Sequence, residues 1–162
     1  MINIICVGKL KDKYLVDMSN DYLTRLTKYH KVNVIELKDS NITEEGDLIL
    51  KHLNNKDFIV TMEINGKNLS SVELSELIDK TFINYPTITF IIGGSDGIDQ
   101  RVLDKSNYRL SFGKNTYPHG VFRCLLLEQI YRSFKILNNL YDNIHNQVRD
   151  YYGKLISYSY LL

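Results

Sequence analysis

The residues able to do chemistry are concentrated between Thr87 and Arg132. A β-branched run from Thr87 to Ile92 stops at Gly93-Gly94-Ser95-Asp96-Gly97. A second strand-like run, Tyr108 to Phe112, stops at Gly113, and a helical segment carrying Arg123, Glu128 and Arg132 follows. Two glycine-punctuated strand ends this close in sequence bring backbone N–H and C=O groups to one rim of a sheet, the place where open α/β sheets bind ligands. That rim is the expected cofactor site.

The glycine loop is not a known nucleotide fingerprint. Its spacing is G-G-x-x-G instead of G-x-G-x-x-G, and Tyr117 stands about twenty positions on, where an acid would be needed for a ribose. Gly113-Lys114 is followed by Asn115 where a P-loop needs Ser or Thr, and Tyr108 occupies its first glycine position. A plain dehydrogenase or P-loop NTPase is disfavoured, and taken alone the loop reads as a tight turn using glycine's freedom at φ > 0. His119 follows Pro118 at a strand-to-helix junction, a common place for a capping or core histidine. Glu128 and Arg132, four apart with the acid first, also fit a surface pair worth ~0.3–0.5 kcal/mol. His30, His52 and His145 make no metal-ligand spacing with one another or with a cysteine, so no metal site is expected.

The elements that must position these groups follow from hydrophobic period. Ile2 to Val7 reads as a buried strand ended by Gly8, and Leu15, Met18, Tyr22, Leu23 and Leu26 recur on one helical face. Lys31 to Leu37 alternates as a strand. Asn41 with Glu44 marks a helix start, and Gly46 weakens that helix by up to ~1 kcal/mol relative to alanine. Asp57 to Glu63 is a third strand, closed by the turn dipeptide Asn65-Gly66. Ser70 and Glu73 have capping-box spacing ahead of Leu74, Leu77, Ile78 and Phe82, and Pro86 marks the break before the next strand. A last helix is expected from about Gly120 to Asn139. The β-α alternation predicts one α/β sheet with helices on its faces.

With 162 residues, 44% of them apolar and 24% charged, the chain is sized for a single globular domain. No apolar run approaches the ~20 residues of a membrane span, and the start is strand-like, so a cytoplasmic location is expected. Cys6 and Cys124 read as small buried hydrophobes. Net charge is only +1, but Arg101 to Lys135 carries a net +5 and Lys38 to Phe82 a net −4. That asymmetry fits either solvated faces or a cationic patch suited to a phosphate-bearing partner. The many tyrosines sit mostly where a core would use them.

Taken together, VGKLKDKY, VTMEINGK, LSS, FIIGGSDG, SNYRLSFGKNTYPH and LLLEQIYRSFKIL resemble the RlmH family of the SPOUT superfamily, in order and with matching spacing within each block, from Ile2 to about Asn139. Those enzymes use S-adenosyl-L-methionine to methylate N3 of a pseudouridine in large-subunit (23S) ribosomal RNA. The resemblance implies a SPOUT-type knotted α/β fold, a largely parallel sheet with helices on both faces, in a homodimer whose cofactor lies near the subunit interface. It also implies a single domain over residues 1–139, with 140–162 as a C-terminal tail of that domain. By position, the cofactor pocket would use Met62, Gly93, Phe112, Gly113, Lys114, Asn115, Thr116 and Tyr117. Arg123, Glu128 and Arg132 would line the substrate side, with His119 shaping the pocket and no metal required.

Two stretches depart from the family pattern. Lys38 to Leu53 is shorter than the usual strand-to-helix segment. The ending differs too: relatives close with a short Tyr-His-basic sequence, whereas here Tyr141 and His145 are separated and further residues follow. An altered lid is one expectation for that tail. A catalytically impaired or retargeted relative that binds cofactor and ribosome is the alternative function.

Overall fold

The computed structural model describes the backbone of residues 1–159 and the side chains of residues 1–139. The elements run β1 (Ile2–Val7), α1 (Lys13–Leu26), β2 (Val32–Leu37), α2 (Ile42–His52), β3 (Phe58–Asn68), α3 (Ser71–Asn84), β4 (Ile88–Ile92), α4 (Gln100–Leu103), β5 (Tyr108–Ser111) and α5 (His119–Ser159). The strands form one sheet in the order β2-β1-β4-β3-β5, and every pairing is parallel.

Alternation along the strands sorts side chains onto two buried faces, as a parallel sheet covered on both sides requires. Ile2, Ile4, Phe90 and Ile92 pack with Leu26 of α1, Leu74 and Ile78 of α3, and Leu126, Leu127 and Ile130 of α5. On the other face Ile5, Ile59 and Ile91 pack with Ile49 of α2 and Val102 of α4. Each such side chain, when fully buried, stabilises the fold by about 1.5–3 kcal/mol. Helices α1 and α3 follow steps in one direction along the sheet, and α2 and α4 follow steps in the other. Right-handed crossovers put the two sets on opposite faces.

This topology creates a switch point. β1 and β4 are neighbours, yet the chain leaves β1 towards β2 and leaves β4 towards β5. Their C-terminal ends diverge, and a crevice opens where loops part.

Helix starts match their sequence signals. Asn41 caps α2 by accepting from Glu44 N–H, and Ser70 and Glu73 form a reciprocal capping box on α3. Ser70→Ala is expected to lower stability by about 1 kcal/mol, a fall in melting temperature of roughly 2–4 °C for a chain of this size. Thermal denaturation of the variant checks this, with cofactor affinity unchanged.

Three local expectations are corrected. Met18 is 39% exposed, because Ser19 takes the buried position on that face of α1. Asn65-Gly66 is not a terminating turn: β3 continues through it with a register break between Met62 and Lys67, both of which pair with Leu110. A side chain at Gly66 would lie under 3.0 Å from the Arg109 and Leu110 backbones, so glycine here permits close strand approach. Helix α5 continues past Asn139 to Ser159. The side chains of Tyr141 and His145 lie outside the described residues.

Cys6 and Cys124 are buried and free, and burial pushes the Cys6 thiol up to about 11, which suits a core residue. Among the described residues, no helix is long and apolar enough to cross a membrane. None of their His, Cys, Asp and Glu side chains form a group of three suited to a metal.

Candidate active site

The stretch of β3 from Met62 to Asn65 and the loops that leave the C-terminal ends of β4 and β5 enclose a cavity of about 560 Å³, within the size range of small-molecule sites. Met62 lines it from β3, Gly93 from the loop after β4, and Phe112, Gly113, Asn115, Thr116 and Tyr117 from the segment between β5 and α5. Three chain segments far apart in sequence thus meet, because β4, β3 and β5 are consecutive in the sheet. Lys114 alone of the eight expected cofactor residues does not line the cavity; it is exposed on the outside of the turn. Ile98, Leu103 and Phe122 complete apolar walls that sequence reasoning had not picked out. Their only sequence signal is position, just after the glycine loop or in the first turn of α5.

The loop after β4 is built around its glycines. Gly94 and Gly97 form an antiparallel bridge, and Gly97 sits at φ 91°, the left-handed region open to glycine. At Gly93 a Cβ would press on the Gly97 carbonyl and Ile98. Gly113, at φ 106°, makes the corresponding turn after β5, with its N–H donating to Ser111 Oγ at 3.1 Å.

A second cavity of about 770 Å³ opens at the β1/β4 switch point, lined by Val7, Gly8, Lys9, Leu37, Lys38 and Arg123 among others. Gly94, Ser95, Pro118 and His119 border both cavities, so one thin wall separates them. His119 is therefore the single expected catalytic residue at the first cavity.

Arg123 borders the second cavity and is 4% exposed. Its Nη1 pairs with Glu36, its Nη2 donates to the Gly8 carbonyl at 2.9 Å, and its Nε has no partner among the described atoms. Burial alone would raise the Glu36 carboxyl. Hydrogen bonds from Arg123 and the Leu10 N–H, with the charges of Arg123 and Lys9, win and hold it below the ordinary carboxylate value.

Glu128 and Arg132 line neither cavity. Arg132 Nε donates to Glu128 Oε1 at 2.9 Å, and the Gln129 side chain donates to Glu128 as well. At 1.5 Å rise per residue, they lie about 13 and 20 Å along the helix from His119.

Two ion pairs join the contrasting charge blocks. Arg101 reaches Asp47 at 2.7 Å and Arg109 reaches Glu63 at 3.7 Å, basic segment to acidic segment in both cases. With Arg123 on Glu36 and Arg132 on Glu128, the arginines from 101 to 132 are all ion-paired, leaving lysines as the open cations of the region. Arg123 is also the only one of these arginines to line either cavity. The +5 segment does not form a cationic patch of free arginines.

A parallel α/β sheet that holds a small-ligand cavity with apolar walls between its C-terminal loops defines the class. The chain belongs to the SPOUT methyltransferase family, matching the family described as "Predicted SPOUT methyltransferase" over residues 1–141. Among curated proteins it is 45% identical over 150 residues to "Ribosomal RNA large subunit methyltransferase H" of Clostridium botulinum, covering 84% of this chain and 94% of that one. The protein of the same name from Clostridium tetani is 44% identical over 151 residues, covering 85% and 95%. A solved structure, a tRNA (m1G37) methyltransferase from Aquifex aeolicus, superposes with a TM-score of 0.49 at 17% identity, over 82% of this chain and 68% of that one.

Proposed function

We propose that this chain uses S-adenosyl-L-methionine to methylate N3 of a pseudouridine in large-subunit (23S) ribosomal RNA, acting on the ribosome in the cytoplasm. The observation that carries this reading is the meeting of Met62, Gly93 and the Phe112–Tyr117 segment on one cavity. Its walls suit that cofactor. Met62, Ile92, Ile98, Leu103, Phe112 and Phe122 offer apolar surface to an adenine and a thioether chain, while the glycine loop offers backbone polar groups. A Cβ at Gly93 would fill part of the cradle, and no lysine or arginine that would signal a phosphate site lines it.

When bound, the cofactor supplies an electrophilic methyl group on its sulfonium. The protein's work is alignment, which can lower a barrier by up to ~7–11 kcal/mol, and help in removing the N3 proton of a neutral imide. The second cavity, at the switch point, is where the target ring would approach. His119 borders both cavities and so stands nearest to the proton that must leave. Arg123, with both terminal nitrogens engaged, fixes the start of α5 to the end of β1 beneath that approach.

Glu128 and Arg132 would reach a substrate only from a second copy, and the reading includes a homodimer in which α5 presents them across the interface. It includes the family's knot as well; the return of α5 from the edge strand β5 to the face holding α1 and α3 supports this. It takes residues 1–139 as one domain and 140–162 as its tail. Unbroken helix from His119 to Ser159 supports that division, with no separate unit beginning at 140.

The test is transfer of a labelled methyl group to intact ribosomes lacking the modification, with the product nucleotide mapped. Methylation at N3 of the family's pseudouridine is the expected result. Cofactor binding by folded protein without transfer to the ribosome would overturn the reading.

A further inference from the structure

Helix α2 lines neither cavity, yet it grips the loop that walls both. Glu45, in its first turn, is 3% exposed, and its carboxyl lies against Gly94 so closely that a Cβ there would overlap both oxygens. The next residue, Gly46, is packed against the Asp99 side chain with no room for a Cβ. Asp99 in turn caps α4, and Arg101 binds Asp99, Asp47 and the Thr43 carbonyl. The segment from Gly93 to Asp99 is thus clamped at both ends by α2, and Gly94 is shared by both cavities.

The surroundings of Glu45 are unusual for a carboxylate. The Ser40 N–H donates to its Oε1 at 2.9 Å, and the Asp39 carboxyl is close enough to act on its charge. Asp96, in the clamped loop, adds a further negative charge nearby. Arg101, the cation on the adjoining helix, is engaged with Asp47 and Asp99, and among the described residues no lysine, arginine or histidine pairs with Glu45. Of the other acids on α2, Glu44 is bonded by the Ser40 hydroxyl and Asp47 by Arg101.

We propose that Glu45 is a positioning residue for the cofactor: buried and anchored by the Ser40 N–H, it presses on Gly94 and holds the Gly93–Gly97 loop in its ligand-ready shape. This rests on the first cavity being the cofactor site. Burial is the largest influence and raises the Glu45 carboxyl above its ordinary value; the Ser40 N–H, next in size, pulls it down, and Asp39 and Asp96 add to the rise. The sign follows directly. Below the raised value the group is neutral and the loop is held. As pH rises through it, a third negative charge appears between Asp39 and Asp96, and the loop is pushed from its seat.

The experiment compares wild type, Glu45→Gln and Glu45→Ala. Calorimetric affinity for S-adenosylhomocysteine is measured from about pH 4 to about pH 8.5, a range that starts at the ordinary carboxylate value, with hydrogen exchange of the 93–99 segment measured in the absence of ligand. Wild type should lose affinity and protection as pH rises. Glu45→Gln, which keeps a donor and cannot ionise, should hold both constant at the low-pH level. Glu45→Ala, if it folds, should bind at least about fivefold more weakly at every pH.

If Glu45→Gln shows the same pH dependence as wild type in loop exchange, the proposal is wrong whatever Glu45→Ala does. If wild type binds no S-adenosylhomocysteine at all, the cofactor reading fails. Loop exchange would still decide the role of Glu45.

Discussion

Gly93→Ala is expected to weaken S-adenosyl-L-methionine binding roughly 100-fold, the upper end of the about 1–3 kcal/mol that overpacking costs. The added methyl would fall under 3.0 Å from the Gly97 carbonyl and Ile98 Cγ1. A flexible side chain could swing away, but a backbone carbonyl moves only with its chain. Here that chain is the loop closed by the Gly94–Gly97 bridge. The displacement therefore falls on the cavity wall itself. Gly97→Ala separates this steric effect from a conformational one. Gly97 has open space around its missing Cβ but a φ of 91°, so its cost of about 1–2 kcal/mol comes from the backbone alone. Calorimetric titration of both variants, with melting temperatures alongside, distinguishes the two. Affinity for Gly93→Ala within threefold of wild type would show that the wall is not rigid there.

Glu36→Ala should produce the largest loss of stability of any single carboxylate substitution. Arg123 would be left as a buried charge whose Nε already lacks a partner. Removing one member of a buried pair typically costs 3–5 kcal/mol; with Glu36 partly exposed, about 3 kcal/mol is expected, or roughly 6–12 °C in melting temperature. The double variant Glu36→Gln/Arg123→Met should recover much of it, since no uncompensated charge remains. Acid should act as Glu36→Ala does. The Glu36 carboxyl lies below its ordinary value in the folded chain, so its stabilisation is present above the ordinary carboxylate value and lost as pH falls through the depressed one. Thermal melts from neutral to acid pH should show a steep decline in wild type that is shallower in Glu36→Gln. Equal acid slopes would mean that the pair contributes little.

The elements legible from the sequence were those set by local chemistry. Apolar alternation in Ile2 to Val7 and Ile88 to Ile92, the Asn41 cap and the Ser70–Glu73 box each specify backbone geometry within a few residues. The rim that holds the first cavity was legible for the same reason, because glycines mark strand ends and strand ends mark a sheet's rim. Lys114 stands outside the cavity, and a motif does not say which of its side chains turns inward. Glu128 and Arg132 stand at positions where spacing fits a surface pair and family position fits substrate contact. One protomer brings them to neither cavity.

Local sequence did not show which segments would meet. Gly46 looked like a weakness in α2, and only the packed structure shows Asp99 occupying the space a side chain would need. Nothing local marks Glu45, which the loop after β4 folds over and buries. Arg123 and Glu36 lie 87 residues apart, too far for any local spacing to pair them. By itself, the sequence determined the β-α order, the helix starts, the glycine-marked rim and the family. The tertiary structure decided the neighbours across strands and helices, and with them which charges are paired, which carboxyl is taken out of water and which glycines leave room for something else. The physical reason is range: propensity and capping act over a few residues, whereas desolvation and close packing depend on groups brought together from anywhere in the chain.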